Sequence, residues 1–212
     1  MRQLIRPLAL LAALGLAPAV AAADGQGAMA QLKQQNDRMQ KILRRQTAPG
    51  SADEEKAKGE LKQIVNAMID YGDLAKRALA THWDKLTPAQ REEFTATLRE
   101  LIEKNYVRQL RTNLDYELVY KGETVSGDEA TVVTVVKAKT QGKTTEVGID
   151  YKLHHSGGRW QIHDVVTDEV SMVKNYRAQF NKIIAGESYE ALIKKMRKKM
   201  DEVDGAKPAK AT

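Results

Sequence analysis

The feature that most narrows the fold is a change of hydrophobic period. Up to Leu110 the apolar residues recur about every 3.6 positions, and from Tyr116 they alternate with polar ones at a period of about 2. In "LDYELVYK", Tyr116, Leu118 and Tyr120 face one way while Asp115, Glu117 and Lys121 face the other. "VSGDEA" turns the chain into "TVVTVVKAK", and "QGK" turns it into "TTEVGIDYKL", where Val147, Ile149, Tyr151 and Leu153 alternate with Glu146, Asp150 and Lys152. "HSGGR" then leads into "WQIHDVV", with Trp160 and Ile162 on the apolar side. Four strands joined by tight turns form an antiparallel meander with one apolar and one polar face. The flanking helices must cover the apolar face. The expected class is therefore α+β, with helices packed on one face of a twisted four-stranded sheet.

Local signals place those helices. Met29, Leu32, Met39, Ile42 and Leu43 form a first amphipathic stripe that ends before Pro49. Ser51 and Glu54 make a capping box for a second helix carried by Leu61, Ile64, Val65, Met68 and Ile69. Gly72 predicts a break, followed by a short helix to about Leu79. Thr87, Pro88 and Gln90 form the sharpest start signal, opening a long helix through Phe94, Leu98, Leu101, Ile102, Tyr106 and Leu110. After the sheet, "VSMVKNYRAQFNKII" places Met172, Val173, Tyr176, Phe180, Ile183 and Ile184 within an arc of about 120°, with Arg177 at its border. "SYEALIKKMRKKMDEV" closes the helical part, and residues 205–212 read as a disordered polar tail.

The first 23 residues read as a secretory signal peptide: Arg2 and Arg6, the short apolar run "LALLAALGLAPAV", then small residues, with cleavage expected after Ala23. The run is too short to span a bilayer. No cysteine occurs, which excludes disulfides and a lipid-modified cysteine anchor. The rest, residues 24–204, suits one domain. Export makes nucleic acid an unsuitable partner for this basic chain of net charge +6, and anionic membrane surfaces or acidic protein faces fit better.

Catalytic signals are sparse. His154 and His155 are neighbours on a strand, so they point to opposite faces and cannot share a metal; the same objection applies to His163 and Asp164. No phosphate loop, serine nucleophile elbow or metal spacing is found, so no catalytic residue and no metal ligand is assigned. A pocket isomerase or dehydratase stays open as an alternative, yet the inward tyrosines Tyr116 and Tyr151 lack a clear ionisable base beside them. The charges of "KKMRKK" surround everything except the apolar stripe, as a solvated face or a docking surface for an acidic partner. Arg77, Arg108 and Arg111 read as surface charges. The apolar inward positions suit a core, or a core with an internal cavity.

From about Ile64 to Met196 the chain resembles the MlaC, or toluene-tolerance, family of periplasmic phospholipid-binding proteins. The likeness is carried by "HWDKLTPAQREEFTATLRELIEKNY", "YELVYKGETVSGDEATVVTVV", "VGIDYKLHHSGGRWQIHDVVTDEVSMVKNYRAQFNKII" and "YEALIKKMRKK", in matching order and spacing. Glu169 departs from it, standing where many relatives have glycine. The resemblance implies a soluble periplasmic carrier with no enzymatic activity and no cofactor. Its cargo would be a glycerophospholipid whose acyl chains lie in an apolar cavity between helices and sheet. The implied partners are an inner-membrane Mla ABC transporter complex and an outer-membrane lipoprotein–porin complex. The protein would act as a monomer with transient membrane proximity, maintaining outer-membrane lipid asymmetry. A hopanoid or other polycyclic cargo is the alternative within the same family.

Carried onto this chain, the expected cavity wall comprises Val147, Ile149, Tyr151, Trp160 and Ile162 from the sheet, Leu98, Leu101, Ile102 and Tyr106 from the long helix, and Val173, Tyr176 and Phe180 from the stretch after the sheet. Arg177 is the candidate at the rim, serving either a phosphate or a nearby carboxylate.

Overall fold

The computed structural model describes residues 27–112, 116–140 and 143–205, side chains excepted at 106–112, 139–140, 143–144 and 203–205. The expected leader lies outside the described residues. So does the expected tail, except for Gly205. Four helices come first: α1 (Ala28–Leu43), α2 (Ala52–Met68), α3 (Tyr71–Leu79) and, after a 3₁₀ turn at Ala80–Lys85, α4 (Pro88–Thr112). The strands β1 (Tyr116–Ser126), β2 (Glu129–Thr140), β3 (Lys143–Ser156), β4 (Arg159–Thr167) and β5 (Val170–Ser171) follow. Helices α5 (Met172–Gly186) and α6 (Tyr189–Gly205) end the described chain.

The helix starts are local hydrogen-bond events. Thr87 Oγ1 accepts from the Gln90 amide at 3.3 Å while Gln90 Oε1 accepts from the Thr87 amide at 3.0 Å, a complete capping box. At α2, Ser51 Oγ accepts from the Glu54 amide, but the Glu54 carboxylate takes the Gly50 amide at 2.6 Å, one residue earlier than the box predicts. The break before α3 lies at Ile69–Asp70 rather than Gly72: Asp70 caps α3 by accepting from the Asp73 amide at 2.9 Å.

The sheet is an antiparallel meander in chain order, β1-β2-β3-β4-β5. Five strands replace the four expected, because Val170 and Ser171 pair with Thr167 and Val166 before Ser171 caps α5. The turn between β4 and β5 holds Asp168 and Glu169 in the left-handed region, at φ 46° and 67°. Glycine meets that demand without strain, which is the physical sense of Glu169 as a departure. The other edge positions of β4 are also occupied: the Asp70 amide donates to the Ile162 carbonyl at 3.0 Å, next to a parallel bridge between Ile69 and Ile162. That edge is thereby withdrawn from further pairing.

Alternation fails at one place. The β3–β4 register passes from Lys152 opposite Asp164 to Leu153 opposite Ile162, so His163 is an extra, bulged residue. The bulge brings His163 and Asp164 towards the same, outer side of the sheet, whereas strict alternation predicts opposite sides.

Two apolar cores result. Helices α3–α6 enclose one, centred on the fully buried Leu74, Leu79, Phe94, Leu98 and Leu192. Phe94 meets Phe180 edge to face at 5.5 Å, and Phe180 stacks on Tyr176 at 5.4 Å. The second lies between α1, α2 and the sheet, built from Leu32, Met39, Ile64 and Val65 against Val132, Leu153 and Ile162. Ile69 packs against both. Glu103 of α4 ties the halves together. It is buried and accepts from Lys62 of α2 at 2.6 Å and Arg99 at 2.8 Å. Burial works to raise its carboxyl, but the hydrogen bonds from Lys62, Arg99 and Asn66 outweigh that and hold it below the usual carboxylate range.

Candidate binding site

The inner face of the sheet is graded from closed to open. At one end Ala130, Leu153 and Ile162 stand side by side in register and are buried under α1 and α2. At the other end Leu118, Val136 and Val147 stand side by side and are only half-buried, with half-buried Ile149 in the next row. Among the described residues these four join neither core. An apolar row of this kind, inside the fold and incompletely covered, is what a site for an apolar ligand requires.

Tyr151 lies between the two ends. Burial pushes its hydroxyl up to about 12, yet its ring keeps partial access. Depth combined with access is the signature of a recess. The neighbouring Tyr120 hydroxyl is buried without a hydrogen-bond partner among the described residues, and burial raises its pKa strongly. The Tyr116 hydroxyl is also raised by burial, while a hydrogen bond with Gln40 works the other way.

The other residues expected at the wall divide among three settings. Ile162 belongs to the sheet-side core, with Tyr151 and Trp160 half-buried against it. Leu98, Leu101, Ile102, Val173 and Phe180 are buried in the helical core, with Tyr176 packed against it. Tyr106 lies on α4, its side chain outside the described residues. Arg177 donates from Nε and Nη2 to the Arg77 carbonyl at 3.0 and 2.7 Å. That carbonyl is among the last four of α3, which no longer find partners within their own helix, so the guanidinium caps α3. Leu118 and Val136 complete the open row. Their alternation was readable in the sequence, but their exposure depends on where the helices stop.

A polar cluster marks the β4 edge. His154 Nε2 lies 3.1 Å from Asp70 and His163 Nε2 2.9 Å from Glu129, with the two rings stacked at 5.7 Å. Arg77 reaches Asp73 at 2.5 Å and Glu129 at 3.5 Å. Burial, then the Arg77 charge, depress the His163 pKa against the pull of Glu129. Among the described residues no group of three or more histidine or carboxylate side chains is placed to hold a metal ion, and no helix is long and apolar enough to cross a membrane. Asp164 is structural: it accepts from Ser171 Oγ at 2.5 Å and from the Val173 amide at 3.0 Å, tying the start of α5 to β4.

Over 142 residues the chain is 25% identical to the intermembrane phospholipid transport system binding protein MlaC of Haemophilus influenzae, covering 64% of this chain and 66% of that protein. The fold matches the solved structure of a phospholipid-binding protein from Ralstonia solanacearum in complex with a phospholipid, with a TM-score of 0.70 at 18% identity, over 84% of this chain and 98% of the other. Residues 33–198 match the family described as MlaC protein, and the chain belongs to that family.

Proposed function

We propose that this protein is a soluble periplasmic carrier of glycerophospholipid. It would take lipid from one membrane complex and deliver it to another, between an outer-membrane lipoprotein–porin complex and an inner-membrane ABC transporter, without chemistry of its own. The reading is supported above all by the half-covered apolar row Leu118–Val136–Val147 on the inner sheet face. Family membership and the phospholipid held by the Ralstonia protein agree with it.

The energetics explain why such a carrier is needed. Burying one methylene is worth about 0.8 kcal/mol, so an acyl chain of roughly 16 carbons gains on the order of 12 kcal/mol on leaving water. Two chains make unassisted desorption from a bilayer very slow. The bilayer offers nearly the same gain, so the carrier's recess must match it to within a few kcal/mol to load and to release. Retention in buffer and hand-over at a docked partner follow from that balance.

The test is mass spectrometry of an organic extract of freshly purified protein. A phospholipid at near one per chain is expected. Protein that comes out empty, and cannot be loaded from vesicles, would refute the proposal; a polycyclic lipid in place of phospholipid would redirect it to the other cargo.

A further inference from the structure

We propose that α1 and α2 form a hinged flap over the inner sheet face, anchored at its closed end, and that lipid passes when the tip of this hairpin lifts from the open row. The inference rests on the carrier reading above and adds to it the element that moves.

The anchors lie at one end. α1 starts, and α2 finishes, beside the closed part of the sheet. The Gln31 side chain accepts from the Trp160 amide at 3.0 Å and donates to the Trp160 carbonyl at 2.6 Å, copying the pairing of a neighbouring strand. The Met29 amide donates to Glu123 at 2.8 Å, and Gly27 passes so close that a Cβ there would stand 2.9 Å from the same carboxylate. Beyond α2, the Ile69–Ile162 bridge and the Asp70 amide on the Ile162 carbonyl bind the chain to β4. Lys62 and Asn66, both in the second half of α2, hold Glu103 of α4.

The tip is built differently. Arg45 pairs with Glu60 at 2.8 Å, joining the end of α1 to α2, and the Glu54 carboxylate accepts from the Gly50 amide of the connecting loop. Met39 and Ile42 of α1 share one apolar cluster with Leu61 and Ile64 of α2. The hairpin can therefore move as one body about its anchored end. Towards the tip, Asn36, Gln40 and Arg44 face Tyr116 and Leu118 of β1 across a groove of about 400 Å³. Gln40 spans it to hydrogen-bond the Tyr116 hydroxyl and is the latch. A groove in place of close packing means that raising the tip forfeits little contact, whereas raising the other end breaks several hydrogen bonds to the backbone. Lifting about the anchors thus uncovers Leu118, Val136 and Val147 and leaves the closed core intact.

The chain has no cysteine, so an engineered pair is addressed alone. Gln40→Cys with Tyr116→Cys is loaded with fluorescent phosphatidylethanolamine and joined by a thiol-cleavable bismaleimide. Transfer to vesicles of phosphatidylethanolamine and phosphatidylglycerol is then timed. The link should slow transfer by about tenfold or more, and its cleavage should restore the rate. Capping both cysteines with a monomaleimide of similar size adds bulk without a lock and should leave transfer fast. The same link at the anchored end, Met29→Cys with Glu123→Cys, should not slow it. Tyr116→Phe keeps the ring, loses the latch, and should speed transfer about fivefold, the worth of one hydrogen bond. Equal rates with the tip link intact and cleaved, slow transfer under the monomaleimide, slowing by the link at the anchored end, or a native rate in Tyr116→Phe each overturn the inference and leave the carrier reading intact. Failure of the native protein to load or transfer any phospholipid sinks the carrier reading, and the inference with it.

Discussion

The helical half and the sheet half of this molecule use similar apolar side chains to opposite ends. Around Phe94 the four helices α3–α6 bring residues from every side until Leu74, Leu79, Leu98 and Leu192 have no exposed surface left. Over the sheet, α1 and α2 achieve this only at one end, where Val132 and Leu153 are closed off, and Leu118, Val136, Val147 and Ile149 keep partial access. Helices can interdigitate around a common axis, whereas two helices lying on one face of a broad sheet leave part of that face uncovered. In one half apolar residues serve stability, and in the other their incomplete burial leaves hydrophobic free energy for a ligand to gain.

That contrast can be broken or sharpened experimentally. Phe94→Ala should produce the largest loss of stability, about 3–5 kcal/mol, since a fully buried ring and its edge-to-face contact with Phe180 both disappear. Chemical denaturation measures it; a cost below about 1 kcal/mol would mean the helical half is not closely packed. Ile149→Trp should do the reverse. Co-purifying lipid should vanish while stability changes by less than about 1 kcal/mol, because the added ring enters space that is not close-packed. A variant that unfolds, or one that still carries normal lipid, would remove Ile149 from the open region.

Arg177→Ala addresses the junction. Loss of two hydrogen bonds to the α3 terminus should cost about 2 kcal/mol while lipid load is retained. An unchanged melting curve with loss of lipid would instead return Arg177 to a role at the rim. The smallest effect concerns pH. His163 has a folded-state pKa below its ordinary 6.5, so the unfolded chain takes up the proton first. Its contribution is therefore complete above pH 6.5 and is lost as the pH falls from there through the depressed value. Glu129, Asp73 and Arg77 all face this ring, with His154 stacked on it. His163→Gln should flatten that part of the melting temperature profile, and an identical slope in both proteins would show that other groups set it.

Helix starts were legible in the sequence because their partners are three residues apart. Thr87 and Gln90 find each other whatever the rest of the chain does. Asp70 was missed as the start of α3, although its spacing to Asp73 was a readable signal, because the glycine two residues on drew the break to itself. The bulge at His163 carried no such signal: it shows only in the pairing of β3 with β4, beside the edge contact of Asp70 at Ile162.

By itself the sequence determined the order of the helices and of the four longer strands, the apolar set of β1, β3 and the first half of β4, and the family likeness in "NYRAQF" and its neighbours. All of these rest on short-range periodicity and spacing. Only the tertiary structure decided that the expected wall residues divide between two separate cores and the open row of Val147 and Ile149, that Arg177 caps a helix 100 positions away in sequence, and that the row at Leu118 stays open. Burial and access are properties of what packs from a distance, and a pattern of alternating side chains reads the same whether or not a helix covers it.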